Sequence, residues 1–119
     1  MKPETQKLLD RTFQFGVDCL RFINALPNTV MFKVPKYQLA KASTSVGLNY
    51  EESQAAESRK DFSHKIGIAS KEARESHFWL RMIKAISDNN VDYEKLHYLI
   101  NEALELKKIF ASIKLSSQK

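Results

Sequence analysis

The sequence has few of the residues that build tight turns or covalent cross-links. Its 119 residues include three Gly, three Pro and one Cys. So little Gly and Pro does not suit an all-β fold with many tight turns, and a single cysteine excludes an internal disulfide. Cys19 lies on a predicted helix between Asp18 and Leu20. We expect it to be a small buried hydrophobic group and not a reactive thiol.

Long apolar runs are also missing. No uninterrupted stretch approaches the ~20 apolar residues that a membrane-spanning helix needs, and the N-terminal residues 1–4 (MKPE) do not begin a signal peptide. The length suits one hydrophobic core. We therefore predict a single domain over residues 1–119, located in the cytoplasm, with no membrane partner.

Motifs for catalysis and cofactor binding are absent as well. No Ser or Cys stands in a nucleophile motif, and no glycine-rich loop is present to hold a phosphate. Two acid-x-x-His pairs, Asp61 with His64 and Glu94 with His97, resemble the ligand pairs of di-metal helical bundles. Both pairs lie near predicted helix starts, where carboxylates are favoured in any case. We predict no catalytic residue, no metal and no cofactor.

Four stretches instead repeat apolar residues at alternating steps of three and four, which is the spacing of one helix face. The predicted helices start near Pro3, Pro35, Ser58 and residue 92, and they end near Pro27, Ala56, Ser87 and residue 115, with residues 28–34 as a connector. Four helices with short connections predict an all-α, antiparallel, up-down-up-down four-helix bundle.

Each helix offers a row of core residues. On the first helix we expect the core row Leu9, Phe13, Gly16, Leu20 and Ile23, with Leu8, Phe15, Cys19, Phe22 and Leu26 beside it. The second row is Leu39, Ala42, Val46, Asn49, Ser53 and Ala56; the third is Phe62, Ile66, Ala69, Ala73, Ser76, Leu80 and Ile83; the fourth is Leu96, Leu99, Ala103, Leu106, Phe110 and Ile113.

The third helix has a second row that mixes carboxylates with large apolar groups: Lys65, Ile68, Glu72, Glu75, Trp79, Met82 and Ile86. A solvated helix face is one explanation. The alternative, which we favour, is a contact with another copy of the chain, in which a polar layer fixes the register of the helices. The residues assigned to this interface or polar network are Asn49, Glu52, Glu72, Glu75 and Trp79.

Basic residues exceed acidic ones, with 19 Lys and Arg against 14 Asp and Glu, and both ends of the chain are basic. Such a balance suits a polyanionic partner, although a scattered solvated face explains it equally well. No aromatic residues alternate with the basic ones, so nucleic-acid contacts would go to the backbone. The candidate nucleic-acid-binding residues are Lys33, Lys36, Lys107, Lys108 and Lys114.

Several segments together resemble a known family. They are residues 45–52 (SVGLNYEE), 55–62 (AAESRKDF), 71–75 (KEARE) and 78–80 (FWL), with a last helix of similar style. In this order and spacing they resemble the bacterial four-helix-bundle family of 23S rRNA intervening-sequence proteins. The positions that match its pattern are Asn49, Glu52, Ser58, Phe62, Glu72 and Glu75.

This resemblance implies an antiparallel four-helix bundle that assembles into a closed homopentamer. It also implies a role with RNA, because some members are encoded inside large-subunit rRNA genes. A related branch, the accessory variability determinant of diversity-generating retroelements, binds nucleic acid and a reverse transcriptase. Our hypothesis is a non-catalytic, pentameric protein that binds structured RNA or other nucleic acid. The alternative is an assembly or scaffold module whose partner is another protein.

Overall fold

The protein folds into four helices, seen in a computed structural model that describes residues 1–118. They are α1 (Pro3–Asn24), α2 (Val30–Ser53), α3 (Arg59–Ile86) and α4 (Tyr93–Ser117). The helices form an antiparallel bundle whose longest dimension is 47 Å. Consecutive helices pack against each other, α4 touches α1 more sparsely, and α1 and α3 lie across the diagonal. The all-α four-helix fold predicted from the sequence is confirmed, and none of the described helices could cross a membrane.

Side chains cap the two later helices at their starts. The Ser58 hydroxyl accepts a 3.0 Å hydrogen bond from the Asp61 backbone N–H, as its position in the sequence predicts. The Asp92 carboxylate accepts a bond of the same length from the backbone N–H of Lys95. Each cap satisfies a backbone donor that has no partner inside the helix, and so fixes where the helix begins.

The predicted start of α2 is wrong, because the helix begins at Val30 and contains Pro35. The backbone N–H groups of Phe32 and Lys33 both donate to the Thr29 carbonyl at 3.1 Å, which closes the first turn. Phe32 is buried and anchors that turn in the core. Proline lacks an N–H, so the carbonyl of Met31 loses its usual helical partner. The loss of one hydrogen bond does not outweigh the burial of Phe32.

The predicted core row of α1 is also wrong in part. Phe13 is 72% exposed and Leu20 is 42% exposed, whereas Phe15, Cys19 and Phe22 of the neighbouring row are buried. Two adjacent apolar rows cover a broad arc of the helix, and only the middle of that arc can face the core. The bulkier row fills the core, and Phe13 and Leu20 are left on the outer side that adjoins α2.

The other three helices bury most of the predicted residues. Leu39, Ala42, Val46 and Ser53 of α2 are buried, whereas Asn49 is half-buried and Ala56 lies beyond the helix end. The rows on α3 and α4 are buried throughout, apart from half-buried Phe62 and Ile113. The 3.6-residue period therefore identified the core of α3 and α4, where a single apolar row faces inward.

Ion pairs hold α1 to α4, where the bundle is least tightly packed. The Arg11 guanidinium donates from two nitrogens to the two carboxylate oxygens of Glu102, each at 2.7 Å. Lys95 lies 3.7 Å from Asp18 farther along the same seam. Toward the start of α1 the seam opens into a cleft of about 840 Å³ beside Leu8.

Candidate nucleic-acid interface

Lysines from α4 lie close against α3. The ammonium group of Lys114 donates to the carbonyl of Ser63 at 3.2 Å. Its side chain crosses Gly67, where an added Cβ would lie 2.7 Å from the lysine nitrogen. One turn of α3 farther on, the Ser70 hydroxyl donates to the backbone carbonyl of Lys107 at 3.4 Å. Small residues on α3 thus let the lysine side of α4 approach closely.

These contacts define one side of the bundle, which we call the basic face. On α3 it consists of the row Ser63, Gly67, Ser70, Arg74, His77, Arg81 and Lys84, and on α4 of the row Ile100, Leu104, Lys107, Ala111 and Lys114. The alternating spacing of three and four keeps each row on one side of its helix. Neither row contains Asp or Glu. Five cationic side chains therefore share a surface without a neutralising carboxylate.

His77 lies on the α3 row of the basic face, where charges from both helices reach it. Its pKa is lowered first by partial burial, and then by the positive charges of Arg81 on its own helix and Lys107 on α4. A histidine between two cations prefers to stay neutral. Lys107 of α4 therefore lies close enough to α3 for its charge to act on His77.

The five candidate lysines fall into two separate groups. Lys107 and Lys114 belong to the basic face, and exposed Lys108 adjoins Lys107 on α4. Lys33 and Lys36 lie at the other end of the bundle, in the first turns of α2. The path from the start of α4 to Lys107 is about 20 Å at ~1.5 Å per residue. One subunit thus brings the three α4 lysines together but not all five.

Lys36 makes hydrogen bonds that stabilise the loop at its end of the bundle. Its ammonium group donates to the Asn28 side-chain oxygen at 2.8 Å and to the Leu26 carbonyl at 3.2 Å. Carbonyls at a helix C-terminus carry partial negative charge and attract cations. Lys36 therefore closes the loop between α1 and α2. Lys33, in contrast, is exposed beside an α1–α2 cavity of about 700 Å³.

The residues predicted to form a polar network are connected only in part. The Glu52 carboxylate accepts a 2.9 Å bond from the Lys65 ammonium, which joins α2 to α3. Asn49 bonds the carbonyl of Ser45 within its own helix at 2.8 Å. Glu72 and Glu75 are both half-buried on the outer row of α3.

The charged form of Glu72 is disfavoured by its surroundings. The pKa of Glu72 is raised, first because partial burial disfavours its charged form and then because of the charge of Glu75. Lys71 and Lys41 oppose the shift but do not cancel it. Within residues 1–118, neither carboxylate has a cation within salt-bridge distance. In the single subunit the charged form of Glu72 is therefore disfavoured.

Trp79 lies next to the carboxylates and is half-buried in the single subunit. Its ring meets that of Phe78 edge to face, with 5.0 Å between the ring centres. Phe78 is 45% exposed. Large aromatic groups of this kind are enriched at protein interfaces, and the pair leaves apolar surface on the outside of α3.

The remaining His, Cys and carboxylate groups singled out in the sequence are spread over the bundle. No three His, Cys, Asp or Glu residues within 1–118 come together as a possible metal site. Asp61 with His64 and Glu94 with His97 lie at opposite ends of the bundle, because α3 and α4 run antiparallel. Cys19 is buried as predicted, and burial raises the pKa of its thiol to about 12.

The fold and its charged surface define a helical-bundle protein with one basic face. A profile of the 23S rRNA-intervening sequence proteins matches residues 4–112. The chain therefore belongs to that family, as the resemblance in its sequence predicted.

A solved structure agrees with this assignment. The chain is similar to a protein of unknown function from the S23 ribosomal protein family of Bacteroides thetaiotaomicron, at 30% identity and a TM-score of 0.78. The match covers 89% of this chain and 96% of that one. No curated protein sequence matches the chain.

The α3 half of the basic face was not predicted from the sequence, because all five candidate nucleic-acid-binding residues were lysines of α2 and α4. Arg74, His77, Arg81 and Lys84 follow the same three-and-four spacing as the apolar rows. That spacing would have placed them on one helix side. The proximity of His77 to Lys107 could not be foreseen, because it depends on which side of α3 receives α4.

Proposed function

We propose that this protein is a non-catalytic, homopentameric bundle that binds structured RNA or other nucleic acid through the basic face. The observation that carries the proposal is that the α3 and α4 rows of the basic face, which contain cationic side chains and no Asp or Glu, lie against each other where Lys114 bonds Ser63 and Ser70 bonds the Lys107 carbonyl. Proteins that bind nucleic acid without reading bases rely on such surfaces. In this proposal the protein acts in the cytoplasm.

Assembly strengthens the proposed binding. A single subunit carries a net charge of +5, and a ring of five would carry about +25 and repeat the basic face around its axis. Several weak contacts made at once raise the overall affinity. Because the contacts go to phosphates, binding should depend strongly on salt and weakly on base sequence.

The test is a titration of a structured RNA at low and at moderate salt, with a variant that changes Lys107, Lys108 and Lys114 to Gln. We expect the variant to bind more weakly, and the slope of log affinity against log salt to fall by about one for each lost phosphate contact. The control changes three exposed lysines elsewhere to Gln, namely Lys2, Lys7 and Lys41, and so removes the same charge.

Two outcomes would count against the proposal. If the parent protein does not bind RNA even at low salt, nucleic acid is not its ligand. If the control loses as much affinity as the α4 variant, only net charge matters and the basic face is not the site. Lys33 and Lys36 remain a separate prediction, tested by a variant of their own.

A second function is favoured by the apolar side chains that remain exposed. Phe13, Leu48 and Phe78 are each between 45% and 72% exposed. Surfaces of this kind commonly mark protein contacts. The alternative proposal is an assembly or scaffold module whose ligand is a protein, and a parent that fails to bind RNA in the titration above would favour it.

A further inference from the structure

A groove runs along the outside of the bundle between α1 and α2. Its floor is backbone, because an added Cβ at Gly47 would lie 3.3 Å from the Thr12 carbonyl group, and one at Gly16 would lie 3.5 Å from the Ser43 oxygen. The groove has a volume of about 450 Å³. Its walls include Phe13, Leu20 and Leu48, which with the two glycines we call the groove patch.

The groove patch leaves large apolar side chains in water. Phe13 is 72% exposed, and Leu48 is 57% exposed. Toward the start of α2 the same side of the bundle continues into the α1–α2 cavity, beside exposed Val30 and Tyr37. Contiguous apolar surface on a folded chain usually marks a contact with another molecule.

A second apolar surface has the opposite shape. Phe78, Trp79 and Met82 form what we call the aromatic patch on the outer side of α3. Phe78 lies two residues from each of the buried positions Ser76 and Leu80. Residues two apart in an α-helix lie on nearly opposite sides, so Phe78 points away from the core. The aromatic patch is thus a projecting surface, whereas the groove patch is a recess.

The two patches lie on different sides of the bundle. The groove patch belongs to α1 and α2 and the aromatic patch to α3, and α1 does not contact α3. Two groove patches that faced each other would leave both recesses empty, and two aromatic patches that faced each other would bury little area. A contact between copies that uses both surfaces is therefore heterologous, with a different patch on each partner.

We infer that the aromatic patch of one copy inserts into the groove patch of the next, so that the subunits of the proposed oligomer join head to tail. Charge fits the same arrangement. Glu72 and Glu75 beside the aromatic patch have no salt-bridge partner within residues 1–118, and neither does Lys33 on the α1–α2 side. Lys33 complements the two carboxylates, whereas Glu51, which lines the groove farther from the start of α2, repels them, so the contact should place Glu72 and Glu75 toward the start of α2.

The positions of the patches also favour a closed assembly. Both patches adjoin α2, so the two neighbours of a subunit sit on adjoining sides and not on opposite ones. Head-to-tail contacts of this kind close into a ring when the rotation between copies permits. Because α4 lies diagonally across the bundle from α2, its lysines stay uncovered. This inference rests on the proposed homo-oligomer and leaves the α4 half of the proposed nucleic-acid site accessible.

The first experiment breaks one patch at a time. Leu48→Glu disrupts the groove patch, and Phe78→Glu disrupts the aromatic patch; both positions are exposed enough to leave the fold intact, which circular dichroism checks. Leu115→Glu is the matched control, because Leu115 on α4 is 65% exposed and belongs to neither patch. Masses are measured by sedimentation for each protein alone and for an equimolar mixture of the two patch variants.

We expect the parent and the control to be oligomeric and each patch variant alone to be monomeric. The mixture should form a 1:1 dimer and nothing larger, because two chains then retain only one intact pair of patches. A patch variant that still dimerises alone would overturn the inference. A monomeric parent would instead overturn the proposed oligomer, so the two failures are distinguishable.

The second measurement keeps the assembly intact and covers the case in which a single contact is too weak to hold a dimer. Thr44→Cys places a thiol at the groove and Glu75→Cys places one beside the aromatic patch, while Cys19 stays buried. With a short bis-maleimide, the double variant should give a ladder of linked subunits and each single variant should give none. Linkage in a single variant, or no linkage in the double variant, would contradict the head-to-tail contact.

Discussion

Replacing the two glycines between α1 and α2 should change stability in opposite directions. Alanine in a helix interior is favoured over glycine by about 0.8–1.0 kcal/mol. At Gly16 the new methyl group would lie 3.5 Å from the Ser43 oxygen and 3.6 Å from the Thr44 Cα, which is ordinary contact. We therefore expect Gly16→Ala to raise the free energy of unfolding by about 1 kcal/mol.

At Gly47 the same methyl group would lie 3.3 Å from both the carbonyl carbon and the oxygen of Thr12, and 3.4 Å from the Phe13 nitrogen. All three atoms are backbone of α1, so they can retreat only if the helix moves. Overpacking of this kind costs about 1–3 kcal/mol, which exceeds the gain in helix propensity. We expect Gly47→Ala to lower the free energy of unfolding by about 1 kcal/mol.

The assay is urea denaturation of both variants and the parent, followed by circular dichroism at one protein concentration. The difference of about 2 kcal/mol between the variants corresponds to several degrees in melting temperature for a domain of this size. Equal stabilisation by both substitutions would mean that α1 and α2 lie farther apart than the structure indicates, and the description of the groove floor would be refuted.

Three further results are expected. Arg11→Ala should lower the free energy of unfolding by about 1 kcal/mol in thermal melts, because it leaves the partly buried Glu102 unpaired; an unchanged melting temperature would contradict a structural role for the pair. In the Leu48→Glu background, which keeps the subunits apart, Glu72→Gln should stabilise the protein at neutral pH, since a raised pKa in the folded state makes the charged form unfavourable and lets stability grow as pH falls toward that pKa; a less stable variant would mean that Glu72 is favourably paired within the single subunit. Cys19 should resist a thiol-reactive aromatic disulfide until the protein unfolds, because its thiol is buried and its pKa is about 12; rapid reaction of the native protein would contradict its burial.

The sequence predicted the fold because the apolar period is regular where one row faces the core. The α3 and α4 rows were placed correctly, and the Ser58 cap followed from its spacing to Asp61. The start of α2 was missed, because Pro35 is typical of a first turn and the burial of Phe32 cannot be seen from local pattern. The core row of α1 was missed because two apolar rows compete on that helix.

The candidate site was predicted less completely than the fold. Lys107, Lys108 and Lys114 do lie together, since they follow one another along a single helix. The placement of Lys107 and Lys114 against α3, beside Ser63, Ser70 and His77, depends on the α3–α4 packing, which charge along the sequence does not encode. The separation of Lys33 from these residues likewise follows from chain direction in the bundle.

The measurement that tests the central claim most directly is the mass of the parent protein in solution at micromolar concentration, by sedimentation velocity or native mass spectrometry. Both the head-to-tail contact and the repeated basic face require a homo-oligomer. The account predicts one species at about five times the 13.7 kDa subunit mass. A stable species at the mass of one subunit would contradict it.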